Sequence, residues 1–210
     1  VAAAGDGLTP ARMPSPDTLA EALSLALVVN ACIRLGDFVE LVTHSATVNH
    51  GGGLRKARER VYPNPVHHAH ALLAALAGGV PLPVHLSCAS FATRHAFGHI
   101  PPMAQVPYLD AVAVRQPAGE LVVVLVHRGG DCGAVDLDLE VPARAVGAAV
   151  QVVQLTGPHW WARNSLEAPD SVCPCAMEGV YFSGYPWRMC RSSIQEIRAR
   201  CRRAPAPLKT

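Results

Sequence analysis

Residues 37–65, DFVELVTHSATVNHGGGLRKARERVYPNP, are the stretch around which the rest of the chain can be interpreted. The stretch opens with a short run rich in β-branched and apolar residues, 38–42, and reaches three consecutive glycines at 51–53. A short apolar run followed by turn signals is typical of a buried parallel strand. Three glycines favour a loop, because glycine loses much backbone entropy inside a helix or strand. In α/β enzymes a strand that ends in such a loop often carries the chemistry. An ordinary strand and turn is the alternative.

A helix is predicted on each side of this strand. Asp17 and Thr18 supply an N-cap for a first helix that runs to about Arg34 and is apolar around most of its circumference. Asn64 and Pro65 are typical of the start of a second helix, over 66–77, after a charged loop at 54–63. Helix, tight turn and strand form half of a βαβ unit. One parallel strand cannot stand alone, however, because its backbone hydrogen bonds need neighbouring strands.

From Pro81 onward the pattern changes to short β-rich runs separated by Pro, Gly or Asp turns. Residues 117–119, Pro-Ala-Gly, lie between two of these runs and predict a hairpin. Runs at this spacing favour an antiparallel sandwich. The predicted strands are 84–90, 108–115, 120–128, 135–141 and 148–155.

Composition and charge limit the partners of the chain. Half of its 210 residues are hydrophobic and the net charge is +2, so it can bury a core. Residues 181–210 hold seven basic residues and one acid, and 193–203 within them are predicted as a basic helix. Such a tail could bind nucleic acid, but no other feature supports this, and a solvated end is the preferred interpretation. The longest apolar run, 19–33, is interrupted by polar residues, which predicts no membrane partner. Seven irregularly spaced cysteines and no secretory segment favour the cytoplasm.

No complete catalytic or metal-binding motif is present. The chain has no CxxC pair, and His67 and His70 share a helix face without a carboxylate or cysteine to complete a ligand set. It also lacks a G-x-S-x-G elbow and the Walker glycine spacing. No two acids are placed as a glycosidase pair. The sequence therefore predicts no metal, no cofactor and no catalytic residue in this chain.

Residues 156–164, TGPHWWARN, contain the adjacent Trp160 and Trp161. The two indoles could form an aromatic platform for a sugar or a base. They could also fill the edge of the sandwich, which is the commoner role of tryptophan in proteins.

The block LVVNACIRLGDFVELVTHSATVN (27–49), the glycine loop and TGPHWWARN together resemble the C-terminal part of the α-L-arabinofuranosidases of glycoside hydrolase family 51. The resemblance covers roughly residues 19–174. It implies the end of a (β/α)8 barrel in residues 1–80, with helix 7 at 17–36, strand 8 at 37–49 and helix 8 at 65–78. It further implies an antiparallel, jelly-roll-like β-sandwich in residues 81–180. Residues 181–210 form a basic tail that departs from the family pattern where a closing sandwich strand is expected.

In that family a retaining hydrolase releases terminal α-L-arabinofuranosyl residues from arabinose-containing oligo- or polysaccharides, in L-arabinose metabolism and without a metal. The resemblance places both catalytic glutamates upstream of this chain. The acid/base glutamate follows an asparagine, and the sequence contains no Asn-Glu pair, so the chain alone is predicted to be inactive. Many relatives carry a substrate-contacting glutamine three residues before an asparagine in strand 8. Here those positions hold Ala46 and Asn49, which leaves Asn49 as the one implied substrate-binding residue.

The resemblance also implies that the full-length enzymes can form homo-oligomers. An alternative function is a non-catalytic carbohydrate-binding or interaction module, with Trp160 and Trp161 as its stacking surface.

Overall fold

The structure, a computed structural model, describes residues 15–96, 99–129, 135–140, 151–177 and 197–203. Within these ranges two α-helices lie beside strands that are arranged in small sheets. Most of the strand pairs are antiparallel. No helix among the described residues is long and apolar enough to cross a membrane.

The first helix, α1 (Leu19–Arg34), confirms the predicted helix. Thr18 occupies the N-cap position but makes no side-chain capping bond. Instead, the backbone N–H groups of Leu19 and Ala20 donate to carbonyl oxygens of residues 162 and 160, at 2.8 and 2.7 Å. The free N–H groups of a first helical turn are thus satisfied by a distant loop. Only one face of α1 is buried, and Val28 is half exposed, although its sequence predicts cover on several sides.

The second helix, α2 (Pro65–Leu73), begins as its sequence predicts. The Oδ1 atom of the buried Asn64 accepts from the N–H groups of Val66 and His67, at 3.0 and 3.4 Å. Pro65 occupies the first turn, where its missing N–H costs nothing. The helix passes into a 3-10 turn, Ala74–Leu76, before Gly78 adopts a φ of 72°.

The predicted buried strand at 38–42 does not form. Residues 36–38 make a 3-10 turn and residues 39–44 run on without strand pairing. Phe38 is 84% exposed and Leu41 is 78% exposed. The physical reason is that a strand needs a neighbour to complete its backbone hydrogen bonds, and no described segment of the chain lies alongside.

The predicted charged loop at 54–63 is instead a two-stranded hairpin. Strands β1 (Leu54–Ala57) and β2 (Arg60–Pro63) pair antiparallel, with Leu54 opposite Pro63. Arg58 in the turn adopts a left-handed φ of 55°. The many charged residues at 54–63 favoured the prediction of a loop, because they obscure the short alternation typical of hairpin strands.

Each of the five strands predicted in the second half contains a strand of the structure, whereas the strands at 80–82, 106–107 and 174–177 were not predicted. The largest pair is the β7–β8 hairpin, in which Leu109 lies opposite His127 and Arg115 opposite Leu121. Gly119 turns this hairpin with a φ of 94°, as the Pro-Ala-Gly segment predicts. The jelly-roll closure of these sheets stays a prediction. The strands are β3 (Val80–Leu82), β4 (Val84–Ser87), β5 (Ser90–Phe91), β6 (Val106–Pro107), β7 (Leu109–Arg115), β8 (Leu121–His127), β9 (Val135–Glu140), β10 (Val152–Leu155), β11 (Pro174–Met177) and β12 (Ile197–Arg203).

The predicted basic helix at 193–203 is wrong for residues 197–203, which form β12. This strand lies between β4, to which it is parallel, and β9, to which it is antiparallel. Residues 193–196 lie outside the described ranges. Two open strand edges offer more backbone hydrogen bonds than an isolated basic helix without an apolar face could gain.

Two apolar clusters join the helices to the rest of the chain. In the first, the helices contact the loop after β10, and in the second they contact β7 and β8. Val29 and Leu73 border both clusters. The predicted domain boundary at residue 80 is crossed by both clusters but stays a prediction. The first cluster contains Leu19, Ala22, Leu25, Val66, Ala69, Ala162 and Val172, and the second contains Leu76, Val112 and Val114.

Candidate functional site

The glycine loop, defined as residues 45–53, is folded tightly on itself and on β1. Gly52 N–H donates to the Ala46 carbonyl at 2.7 Å, and Leu54 N–H donates to the Thr47 carbonyl at 3.0 Å. Asn49 N–H donates to the Leu54 carbonyl at 2.8 Å. These bonds hold an ordered loop, as three glycines in a row predict.

The glycines of this loop are required by close packing. A Cβ atom on Gly52 would lie 2.3 Å from the Ala46 carbonyl oxygen. One on Gly53, whose φ is +113°, would lie 2.4 Å from the backbone nitrogen of His67. Neither approach is possible for a larger residue. The loop therefore sits directly against the first turn of α2.

Asn49, the one substrate-binding residue that the sequence implies, lies at the exposed surface of this loop. It adopts a left-handed φ of 57°, which asparagine tolerates better than most residues. Its Oδ1 atom accepts from Lys56 N–H at 2.7 Å. Its side-chain Nδ2 makes no hydrogen bond within the described part of the chain and can donate to a ligand. The substrate-binding role stays a prediction.

His44 connects the loop to both helices. Its Nδ1 lies 3.0 Å from Nε2 of His70 on α2, and its Nε2 lies 3.7 Å from Oε1 of Glu21 on α1. The two rings are tilted, with centroids 5.2 Å apart. Burial, and then the neighbouring His44 and His67, lower the pKa of His70 below its usual 6.5. Nothing in the sequence pattern marks His44, because its partner is 26 residues away.

The other two histidines of α2 contact each other. His67 and His68 meet edge to face, with centroids 5.9 Å apart. Burial, followed by the neighbouring His67, lowers the pKa of His68, while Asp170 acts in the opposite direction. Among the described residues no three histidine, cysteine or acidic side chains are grouped so that they could hold a metal ion.

The tryptophan loop, residues 156–164, packs against the start of α1. Its carbonyl groups at Trp160 and Ala162 accept the first N–H groups of that helix. His159 stacks on Trp161 at 4.2 Å with an interplanar angle of 7°, and Trp160 meets Trp161 edge to face at 4.9 Å. These neighbours occupy much of the Trp161 ring, which favours the structural role of the indoles. A cavity of about 280 Å³ beside them is lined by Pro158, His159, Trp161, Ala162, Arg163, Ser171 and Val172.

Asn164, at the end of this loop, is 2% exposed and uses its whole carboxamide. Its Nδ2 donates to the carbonyl groups of Pro63 and Val172, each at 3.0 Å. Its Oδ1 accepts from Val172 N–H at 2.7 Å. The sequence motif contains Asn164 but does not show that it ties the β1–β2 hairpin to the tryptophan loop.

Comparison with known proteins now identifies the class to which this fold belongs. The family model of the alpha-L-arabinofuranosidase C-terminal domain matches residues 6–186. The chain therefore belongs to the alpha-L-arabinofuranosidase C-terminal domain family, and the resemblance noted in the sequence is confirmed. A search of curated protein sequences found no match.

Solved structures agree with this fold. The chain is similar to the arabinofuranosidase of glycoside hydrolase family 51 from Xanthomonas axonopodis pv. citri, at 20% identity and a TM-score of 0.59, over 83% of this chain and 34% of that one. The thermostable enzyme of the same family from Thermotoga petrophila RKU-1 gives 20% identity and a TM-score of 0.59, over 77% and 34% of the two chains. The α-L-arabinofuranosidase from Thermotoga maritima, solved as an arabinose complex, gives 19% identity and a TM-score of 0.58, over 78% of this chain and 35% of that one. The chain thus spans about a third of the length of these proteins.

Proposed function

We propose that this chain is the C-terminal part of a retaining α-L-arabinofuranosidase, which releases terminal α-L-arabinofuranosyl residues from arabinose-containing oligo- or polysaccharides. The observation that carries the proposal is the family match over residues 6–186. The similarity in fold to three arabinofuranosidases, over about a third of each, supports it.

The helical half is proposed to be one wall of a (β/α)8 barrel, with α1 as helix 7, residues 37–49 as strand 8 and α2 as helix 8. Two observations support this. The helices pack on each other through Leu25 and Val66 in one cluster. The segment between them exposes Phe38 and Leu41, which are the apolar side chains that a barrel strand would bury. A strand of a closed barrel has a neighbour on each side, so this segment is expected to pair only in the longer protein.

Catalysis is proposed to need residues outside this chain. Retaining glycosidases use two carboxylates about 5–5.5 Å apart, one as nucleophile and one as acid/base. In the resembling family the acid/base glutamate follows an asparagine, and no Asn-Glu pair occurs here. Asn49, whose side-chain Nδ2 has no partner among the described residues, is proposed to contribute one hydrogen bond to the substrate from strand 8.

The proposal is tested by hydrolysis of a chromogenic α-L-arabinofuranoside. The purified chain is expected to give no turnover above buffer, while the Thermotoga maritima enzyme serves as the active control. Saturable turnover that co-elutes with the chain would contradict the absence of catalytic residues. An Asn49→Ala change at the matching position of an active relative is expected to raise KM more than it lowers kcat.

The cavity beside the tryptophan loop supports carbohydrate binding as a second candidate function. Its volume of about 280 Å³ is large enough for a single sugar ring, and the cavity is open to solvent beside the His159–Trp161 stack. Arg163 and Ser171 line it and contact Asp17 and the Ala168 carbonyl, so a sugar would share these two side chains with their present partners. Titration of arabinan and xylan oligosaccharides against tryptophan fluorescence tests this function. Saturable quenching that is lost in Trp161→Ala supports it, and an unchanged spectrum assigns the indoles to packing alone.

A further inference from the structure

One side chain anchors an otherwise exposed stretch of the chain. Every residue from Glu40 to His50 is exposed except His44, which is half-buried. His44 reaches α2 through His70, at 3.0 Å, and faces Glu21 of α1, at 3.7 Å. The loop also closes over it, since a Cβ atom on Gly51 would lie 3.0 Å from Nε2 of His44. Three separate segments therefore meet at one imidazole.

We propose that the His44–His70 hydrogen bond is a proton-sensitive anchor that positions the glycine loop, and with it Asn49, against the helices. His44 and His70 are positioning residues in this proposal and touch no reacting group. The anchoring itself is independent of the arabinofuranosidase function. Only its consequence for substrate binding through Asn49 rests on the proposed function.

The chemistry of two facing imidazoles explains the sensitivity to protons. When both rings are neutral, or when one carries an extra proton, one nitrogen donates and the other accepts. When both rings are protonated, two N–H groups and two positive charges face each other at 3.0 Å, and the bond is lost. A single proton is therefore tolerated and the second one breaks the contact.

The surrounding charges set the pH range of this release. His70 faces His44, just before the loop, and His67 on its own helix. Burial, and then these two neighbours, lower the pKa of His70 below 6.5. Glu21 lies on the far side of His44, where it can pair with a protonated ring. The doubly protonated state is thus reached only on the acid side of pH 6.5. The anchor is intact above that pH, where His70 is neutral, and is lost at acid pH once both rings carry a proton.

Amide hydrogen exchange measured by mass spectrometry tests the anchor directly. The N–H groups of Asn49, Gly52, Leu54 and Lys56 are hydrogen-bonded within or next to the glycine loop and report its order. Protection factors, corrected for the intrinsic exchange rate, are compared at pH 7.5 and pH 5. The β7 strand serves as an internal reference for global unfolding. We expect loop protection to fall roughly tenfold at pH 5 relative to β7, the equivalent of one lost hydrogen bond.

Matched variants separate this proposal from a general acid effect. His70→Gln places a carboxamide near the position of Nε2, and its oxygen can accept from His44 while the group cannot gain a proton. This variant is therefore expected to keep the loop protected at both pH values. His50→Gln, at an exposed position of the same loop, is expected to retain the wild-type pH response. His70→Ala is expected to lower the protection of the loop at both pH values. If this variant does not fold, His70→Gln still tests the proposal. The proposal is overturned if the protection of the wild-type loop does not change with pH. It is also overturned if His70→Gln loses as much loop protection at pH 5 as the wild type does. Neither outcome depends on arabinofuranosidase activity.

Discussion

Removing the carboxamide of Asn164 should destabilise the fold more than any other single truncation of a polar side chain described above. The residue is 2% exposed and makes three hydrogen bonds to main-chain groups of Pro63 and Val172. Val172 is itself fully buried. In Asn164→Ala these main-chain groups lose their partner, and those of Val172 remain buried in the first apolar cluster.

The expected loss follows from the cost of unsatisfied groups. A buried donor or acceptor that is left without a partner costs about 1–3 kcal/mol. Two acceptors and one donor lose a bond here, and a water molecule can replace part of it. We therefore expect Asn164→Ala to lower the free energy of unfolding by about 3–4 kcal/mol. That is a large fraction of the roughly 5–15 kcal/mol of a typical domain.

The Asn164→Asp substitution should make the stability of the fold depend on pH. An ionised carboxylate still accepts from Val172 N–H, but its second oxygen faces the carbonyl oxygens of Pro63 and Val172 at the positions where Nδ2 donated. Burial and these oxygens raise the pKa of the new carboxyl in the folded state above its unfolded value of about 3.9. The protonated form is therefore favoured in the fold, and the variant loses stability as the pH rises through that raised pKa.

Urea denaturation followed by tryptophan fluorescence measures both variants, at pH 4.5 and pH 7. Ser165→Ala is the matched control, because the neighbouring hydroxyl accepts a single exposed hydrogen bond, from Ala168 N–H at 3.1 Å, and should cost under about 1 kcal/mol. If Asn164→Ala costs no more than this control, the three bonds do not hold the loop. For Asn164→Asp, the loss of unfolding free energy relative to wild type should be larger at pH 7 than at pH 4.5. If it is not, the predicted carboxylate repulsion is wrong.

Three further experiments test other parts of the fold. Gly53→Ala should lower the stability by about 3 kcal/mol or more, since its Cβ would lie 2.4 Å from a backbone nitrogen. Gly36→Ala would meet nothing within 4 Å and should lower it by only about 1 kcal/mol. Thermal melting compares the two variants, and equal losses would refute the packing argument. Val66→Ala, at a fully buried position, should cost about 2 kcal/mol, while Leu41→Ser, at a site 78% exposed, should stay within about 0.5 kcal/mol in this chain; a large loss in Leu41→Ser would show that the segment is covered. Burial lowers the pKa of His127, so the unfolded chain takes up a proton at a higher pH than the folded one. Stability therefore falls as the pH drops below 6.5. In urea titrations at pH 7 and pH 5, His127→Gln should reduce that loss of stability, and an unchanged loss would contradict the reasoning.

Short-range signals in the sequence predicted much of the fold. The Asn64–Pro65 start of α2, the turn at Gly119 and the positions of the central strands depend on residues a few places apart, so they can be recognised without the rest of the molecule. The resemblance carried by residues 27–49 and 156–164 also predicted the family that the comparison confirms.

The sequence by itself therefore determined the two helices, the turn at Gly119 and five of the twelve described strands, because capping, turn and alternation signals act locally. The tertiary structure decided which segments find partners. Residues 38–42 have the composition of a strand but no described neighbour to pair with, and β12 pairs with two strands that its own sequence does not indicate. The candidate site follows the same rule. His44 acquires its role from His70, 26 residues away, and Asn164 acquires its role from Pro63, 101 residues away, since hydrogen bonds between distant residues exist only once the chain has folded.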